Sequence, residues 1–158
     1  MDARSLFAAF FGLIAALSLW MVLSLQFPFA VDGFGIISTR DSTIVVKDAD
    51  IASYNAARHE LILTTECAER IRGTKGYLEG PFTIIVGEEE VLNGIFVPPI
   101  ISRSYPSSQI VITYPTFDSN YSMMKIQMGY PWDEPVSPDP RDDPRIANYF
   151  EATGRLIR

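Results

Sequence analysis

FTIIVGEEEVLNGIFV, residues Phe82–Val97, decides how the rest of the chain is read. Phe82 to Val86 is a β-branched and aromatic run of the kind that suits a pleated, half-buried surface. Gly87-Glu88-Glu89 marks a turn, and Glu90 to Val97 returns as a second strand, with Asn93-Gly94 as an expected bulge or kink. Two apolar arms about a short polar turn make a β-hairpin. Pro98 and Pro99 end it, because proline has no N–H to give to a ladder.

Outward from this hairpin the signals are shorter. Gln109 to Tyr114 carries clean β-branching and is a strand. Thr43 to Val46 (TIVV) is another, and the short apolar run Glu60 to Leu63 (ELIL) is read as a third. Asp48-Ala-Asp50 marks a turn, and Ile51 to Arg58 a helical turn or loop. Thr64 or Thr65 caps a helix over about Glu66 to Arg72, with Glu66 and Glu69 near its positive end. Cys67, Ala68 and Ile71 form its apolar face and Gly73 takes the C′ position. Ser122 to Met128 is a further strand or a short helix. Val31 to Arg40, with Gly33 and Gly35, reads as linker. Pro131 to Pro144 holds five prolines and four aspartates, which predicts an extended linker. Arg145 to Arg158 has Ile146, Tyr149, Phe150 and Leu156 at roughly helical spacing, which predicts a short amphipathic helix, basic at its end. There is no internal repeat.

At the N-terminal side Leu6 to Leu25 reads LFAAFFGLIAALSLWMVLSL, uncharged, with Ser18 and Ser24 its polar residues. Twenty helical residues span about 30 Å, the hydrocarbon thickness of a bilayer. Trp20 and Phe27 suit the interface, and Pro28 stops the helix. A cleaved signal peptide fits less well: its apolar core is shorter, and cleavage after Ala30 would put Pro28 at −3. No lipobox cysteine lies near. The expectation is one transmembrane helix, Leu6 to Phe27, in a bacterial inner membrane. Arg4 and the α-amine precede this helix and Asp32 follows it, which points to a cytoplasmic N-terminus and a periplasmic or otherwise extracytoplasmic C-terminal domain. The organisation is then an anchor over 1–30, a linker over 31–42, an α+β domain over 43–130 and a Pro-rich linker with a short helix over 131–158. That domain is expected to have a mostly antiparallel sheet and one or two packed helices.

Charge and residue types narrow the function. The chain has 158 residues and a net charge of −6, from 13 basic and 19 acidic residues, with no basic run. Such a surface repels phosphate backbones and argues against nucleic-acid binding. One cysteine, Cys67, permits no internal disulfide and reads as a buried small hydrophobe. His59, the one histidine, has no Cys or His at ligand spacing and reads as a surface residue at a strand start. Gly73-Thr-Lys-Gly76 is too short for a phosphate loop and follows a helix instead of preceding one. Glu88, Glu89 and Glu90 read as a solvated hairpin tip. Asp139, Asp142 and Asp143 lack calcium-loop spacing. Met123, Met124 and Met128 read as gap-fillers, not a thioether metal site. No catalytic residue, cofactor or metal is expected. The surface candidates are Phe96, Pro98, Pro99 and Tyr105, the last followed by Pro106. A proline and aromatic loop beside a hairpin edge can receive an extended peptide. The competing reading is that the four close the core and terminate strands.

Three blocks carry a resemblance: Glu60–Ile71 (ELILTTECAERI), Phe82–Ile100 (FTIIVGEEEVLNGIFVPPI) and Ser107–Thr113 (SSQIVIT). Over about 55 residues, roughly a third of the chain, they resemble the periplasmic head subdomain of SecD, an accessory subunit of the bacterial preprotein translocase. Leu63-Thr-Thr-Glu-Cys-Ala68 stands at that family's helix start, Val86-Gly-Glu-Glu89 at its turn, Pro98 or Pro99 at its proline, and Ile112-Thr113 at its last strand end. Cys67 replaces the family's usual glycine, and the Asp-Gly turn pair is missing. SecD proteins also have several membrane helices and couple to protons there, which an anchor without ionisable residues does not do. The resemblance implies a fold and contact with unfolded or secreted polypeptides. The expected function is therefore a non-enzymatic, membrane-anchored binding or accessory protein with a protein or peptide partner. The alternative is a structural subunit of a larger membrane complex, without peptide affinity of its own. No small-molecule ligand is legible.

Overall fold

The computed structural model describes residues 32–74, 77–116 and 121–158. The chain divides into two units, Met1–Ala30 and Val31–Arg158, and the second carries every element below. The expected membrane span, Leu6 to Phe27, lies outside the described residues. Among the described residues no helix is long and apolar enough to cross a membrane.

Nine strands form one sheet. In chain order they are β1 (Phe34–Ser38), β2 (Thr43–Lys47), β3 (Ile51–Asn55), β4 (Glu60–Leu63), β5 (Gly80–Val86), β6 (Glu89–Val97), β7 (Tyr105–Thr113), β8 (Met123–Tyr130) and β9 (Leu156–Ile157). Their order across the sheet is β2-β1-β5-β6-β7-β8-β4-β3-β9. The pairs β6–β7 and β3–β9 run parallel, and the other neighbours are antiparallel. Two short helices complete the unit, α1 (Thr65–Thr74) and α2 (Pro144–Ala152). The expectation of one N-terminal transmembrane helix followed by a small α+β domain is thereby corrected. The described unit is sheet-dominated and no membrane-spanning helix belongs to it.

The corrections have local causes. Phe34–Ser38, expected as linker because of its glycines, is a strand inside the sheet between β2 and β5, and Phe34, Ile36 and Ile37 are buried. Burial on both faces removes the alternation that would mark a strand. Ile51–Asn55, expected as a turn or loop, is β3, with Ile51 and Tyr54 in the core. Ser122 to Met128 resolves to the strand β8. The Asn93-Gly94 step is regularly paired, Phe82 opposite Gly94 and Thr83 opposite Asn93, and the irregularity lies at Ile84/Ile85 instead. Gly94 is small for a packing reason: a Cβ there would strike the Phe82 ring and approach the Ile110 carbonyl oxygen to 2.7 Å.

Helix α1 starts where its cap places it. The Thr64 hydroxyl accepts from the Cys67 N–H at 3.3 Å and its carbonyl from the Ala68 N–H at 3.1 Å. The helix turns Cys67, Ala68 and Ile71 into the core. Gly73 lies inside the helix and not beyond it. Thr74 closes the last turn by donating its hydroxyl to the Arg70 carbonyl.

The Pro-rich segment is the largest correction. It is fastened to the sheet through Arg141, whose residue is 7% exposed. Its Nη1 donates to the Ile126 carbonyl of β8 at 3.1 Å and to Asp133 Oδ1 at 2.8 Å. Its Nη2 donates to Asp139 Oδ2 at 2.7 Å and its Nε to Asp139 Oδ1 at 3.0 Å. Asp133 also accepts from the Met128 N–H and meets Lys125, both at 2.9 Å. The segment thus returns the chain to the sheet in position for α2. Asp143 caps α2 through the Arg145 N–H, with Pro144 in its first turn. Ile146 and Phe150 enter the core, the Phe150 ring lying 5.1 Å from Phe34 and 5.2 Å from Tyr54. The expected tail helix ends there. Gly154 turns with φ +71°, and Leu156–Ile157 becomes β9 beside β3.

Removing the guanidinium would leave the partly buried Asp139 without its counter-charge and Asp133 with Lys125 alone. Arg141→Ala is expected to lose about 3–5 kcal/mol of stability, the range for breaking a buried ion pair from one side. Arg141→Lys should recover only part, since one ammonium cannot make the forked contacts. Urea unfolding of the variants checks both.

Candidate functional site

Where β6 ends, the sheet opens. β6 and β7 pair in parallel only from Ile95 to Val97 against Val111 to Thr113. Pro98 and Pro99 then carry no N–H, so the ladder stops and the chain loops out before β7 begins at Tyr105. Against β8, Tyr105 lies opposite Tyr130 and Ile110 opposite Met128, so five steps along β7 match two along β8. The surplus pushes the first half of β7 away from a regular ladder. The Tyr130 hydroxyl donates to the Pro99 carbonyl at 3.1 Å and pins this corner.

The four residues singled out from the sequence collect around this opening, in unequal roles. Phe96 is buried, with its ring 4.7 Å from that of Phe82, so it closes the core as the competing reading required. Pro98, Pro99 and Tyr105 are half-buried. Pro98 and Pro99 line a depression of about 410 Å³ together with Tyr77, Glu79, Ile100 and Pro115. Phe96 and Tyr105 border a smaller one of about 210 Å³, which also contains Glu79. A third, of about 250 Å³, joins Glu79, Phe96 and Tyr77 to Ser38 and Arg40. Glu79 therefore borders all three, and the depressions form one rim around the segment Tyr77–Glu79.

Sequence reasoning missed Tyr77, Glu79, Ile100 and Pro115. Ile100 is 83% exposed and Tyr77 50%. An isoleucine following two prolines in a loop was the available signal, because a loop has no inner face to hide it. Tyr77, just before β5, meets the proline pair through the hairpin register, with Gly80 opposite Phe96, and Pro115, just after β7, reaches it only through the fold.

The groups that could do chemistry have other duties. His59 has a left-handed backbone, φ +52°, and is half-buried, not on the surface as expected. Its Nδ1 lies 3.3 Å from the Tyr54 hydroxyl, and its Nε2 3.8 Å from Asp142 Oδ1. Burial pushes the Tyr54 phenol up to about 12, so it keeps its proton. Burial first, and the nearby Arg141 charge second, lower the His59 imidazole below its ordinary value. Glu60 is held by Arg58, so His59 and Glu60, neighbours in sequence, serve different partners. Cys67 is fully buried, and burial with the adjacent Asp50 carboxylate pushes its thiol up to about 11 despite Arg70 beside it. A thiol so protonated is a poor nucleophile. Among Glu88, Glu89 and Glu90, all exposed, Glu89 meets Arg145 at 3.0 Å. Met124 and Met128 fill the core. Among the described residues no three acidic, His or Cys side chains are grouped so as to hold a metal ion.

No protein-family model, no curated protein and no solved structure matches the chain.

Because His59 titrates lower folded than unfolded, the unfolded chain binds the extra proton between the two values. The neutral ring's contribution is complete above the unfolded value of about 6.5 and shrinks as pH falls below it. Thermal midpoints should therefore decline from about pH 6.5 downward, before the carboxylates titrate. His59→Asn, which tolerates the left-handed backbone, should flatten that decline. It should leave the steeper loss at lower pH, where Asp139, held down chiefly by its bonds to Arg141, takes up its proton. Circular-dichroism melts across pH check the difference.

Proposed function

We propose that the protein is a non-catalytic binding protein that receives an extended stretch of polypeptide on the rim around Tyr77, Pro98, Pro99 and Ile100. One observation carries this reading. Exposed large apolar side chains are few among the described residues (Ile44, Tyr77, Ile100, Trp132 and Ile157), and two of the five line a single depression of about 410 Å³. Singly scattered apolar residues need no explanation, but a concave cluster walled by prolines and a tyrosine does. Proline and aromatic walls are rigid before binding, so little conformational entropy is lost when a ligand arrives. Their flat faces suit an extended or polyproline-like backbone. The resemblance to the SecD head supplies the class of ligand, an unfolded or secreted polypeptide.

Among the described residues around the rim no acid, base and nucleophile are brought together. Glu79 is the carboxylate common to its depressions, and a lone carboxylate without a partner base carries no nucleophilic or acid–base scheme.

Titration of the full chain with a fluorescein-labelled peptide of alternating apolar and polar residues tests the proposal. Saturable binding is expected, weakened about tenfold or more by Ile100→Asp. The melting temperature should not change, because Ile100 is exposed. Ile44→Asp, on β2 at the sheet edge, serves as the control and should leave affinity intact. No saturable binding, or equal losses from both variants, would overturn the reading.

A further inference from the structure

Pro99 has a second face. Beyond it lies another hollow, of about 460 Å³, which Pro99 lines as it lines the apolar depression. Pro115 of the one is followed in sequence by Thr116 of the other. The two are neighbours on either side of a single proline, and their chemistry differs.

The floor of the second hollow is set by strand register. Glu60 of β4 lies opposite Lys125 of β8, and Lys125 lies opposite Thr113 of β7. Residues directly opposite share a face of the sheet, as do residues two apart along a strand. Glu60, Lys125, Thr113 and Gln127 therefore present one polar surface across three strands, and all four line the hollow. Arg58 stands at its margin with a side chain 70% exposed.

The pairing within this set leaves a surplus of donors. Glu60, its side chain 7% exposed, is met by Arg58 Nε at 3.2 Å. The contact is through Nε of a guanidinium that carries five N–H donors. Lys125 meets Asp133 at 2.9 Å, a carboxylate it shares with Arg141, which is also held by Asp139; an ammonium has three N–H donors, and this pairing accounts for one. Gln127 accepts the Thr113 hydroxyl proton on Oε1 at 3.0 Å, which fixes its amide and leaves the NH₂ group to donate. Two cations, each with one carboxylate partner and N–H donors to spare, and an amide thus line the hollow beside one acid, on a chain whose net charge is −6. Charged and neutral donors converging on a concave floor are the complement of a carboxylate.

We infer that this hollow binds a carboxylate of the same polypeptide that lies on the apolar rim, seated by Arg58 and Lys125 with Pro99 as the divider between the two subsites. The inference rests on the reading of the rim as a peptide site, and it gives that site a direction and a chemical preference. The carboxylate arrives either as the C-terminal group of the peptide or as an aspartate or glutamate side chain. A hollow of this volume accommodates a whole residue in either case.

Three labelled peptides with one apolar sequence separate the possibilities when titrated against the full chain: a free C-terminal acid, its C-terminal amide, and an amide with a glutamate in the last position. The free acid is expected to bind about five- to tenfold more tightly than the plain amide at low salt, with the margin shrinking as salt is raised. Arg58→Gln, at an exposed side chain, should remove most of that margin. Lys125→Gln, with its melt recorded alongside, should remove the remainder. If the glutamate-bearing amide matches the free acid, the side chain is the source; if it matches the plain amide, the terminal carboxylate is. Equal binding of acid and both amides would overturn the inference and leave the rim standing, as would a margin that survives both substitutions. Failure of all three peptides to bind would take down the inference and the peptide reading together.

Discussion

The guanidinium of Arg141 joins three stretches of chain that have no other common contact point: the carbonyl of Ile126 in β8, Asp133 just past that strand, and Asp139 among the prolines. All five of its side-chain hydrogen bonds go to carboxylates or a carbonyl, so its burial is matched by hydrogen bonds as well as by charge. Everything after residue 141 depends on this fixture. Helix α2 delivers Phe150 between Phe34 and Tyr54, and β9 shields the edge of β3. Arg155 then reaches back to Asp48 at 2.6 Å and to the carbonyls of Asp48 and Ile51. Tyr149 donates to the same Asp48 carboxylate at 2.6 Å. The C-terminal stretch is therefore a part of the core and of two salt-bridge clusters, and in no sense a tail.

The hairpin was legible because its signals are local. Phe82 to Val86 and Glu90 to Val97 are β-branched and apolar about a glycine turn, and the strands found there start two residues and one residue earlier and end where they were read. The start of α1 was legible for the same reason, since Thr64 caps it within three residues. β1 and β9 were not. Phe34–Ser38 has too few residues and no alternation, and Leu156–Ile157 is a strand only because β3 lies beside it. The Pro-rich segment misled because its composition is that of a solvated linker. A single arginine among the aspartates changes its meaning, and that arginine acts through residues of β8 which no local window includes.

The rim was half legible for a related reason. Pro98, Pro99 and Tyr105 are adjacent to the hairpin and announce themselves as terminators and surface aromatics. Tyr77 precedes β5 and Pro115 follows β7, and the registers that set Gly80 opposite Phe96 and Val97 opposite Thr113 bring both to this corner. Phe96 shows the limit of reading from chemistry alone. It is aromatic and next to a proline pair, yet its position in β6 points it at Phe82.

The placement of β9 has a consequence for how the protein comes to be made. Tyr54 finds its partner in Leu156, and Asp48 its counter-charge in Arg155, 107 residues later. A ribosome adding roughly 5–20 residues per second takes about 5–20 s to cover that distance. During that interval β3 has an unpaired side, and Phe34 and Tyr54 lack the ring of Phe150. Strands that must wait for a distant segment expose template edges to other nascent chains. The sheet therefore closes at β3 only after Leu156 has been made, and other chains meet an open edge until then.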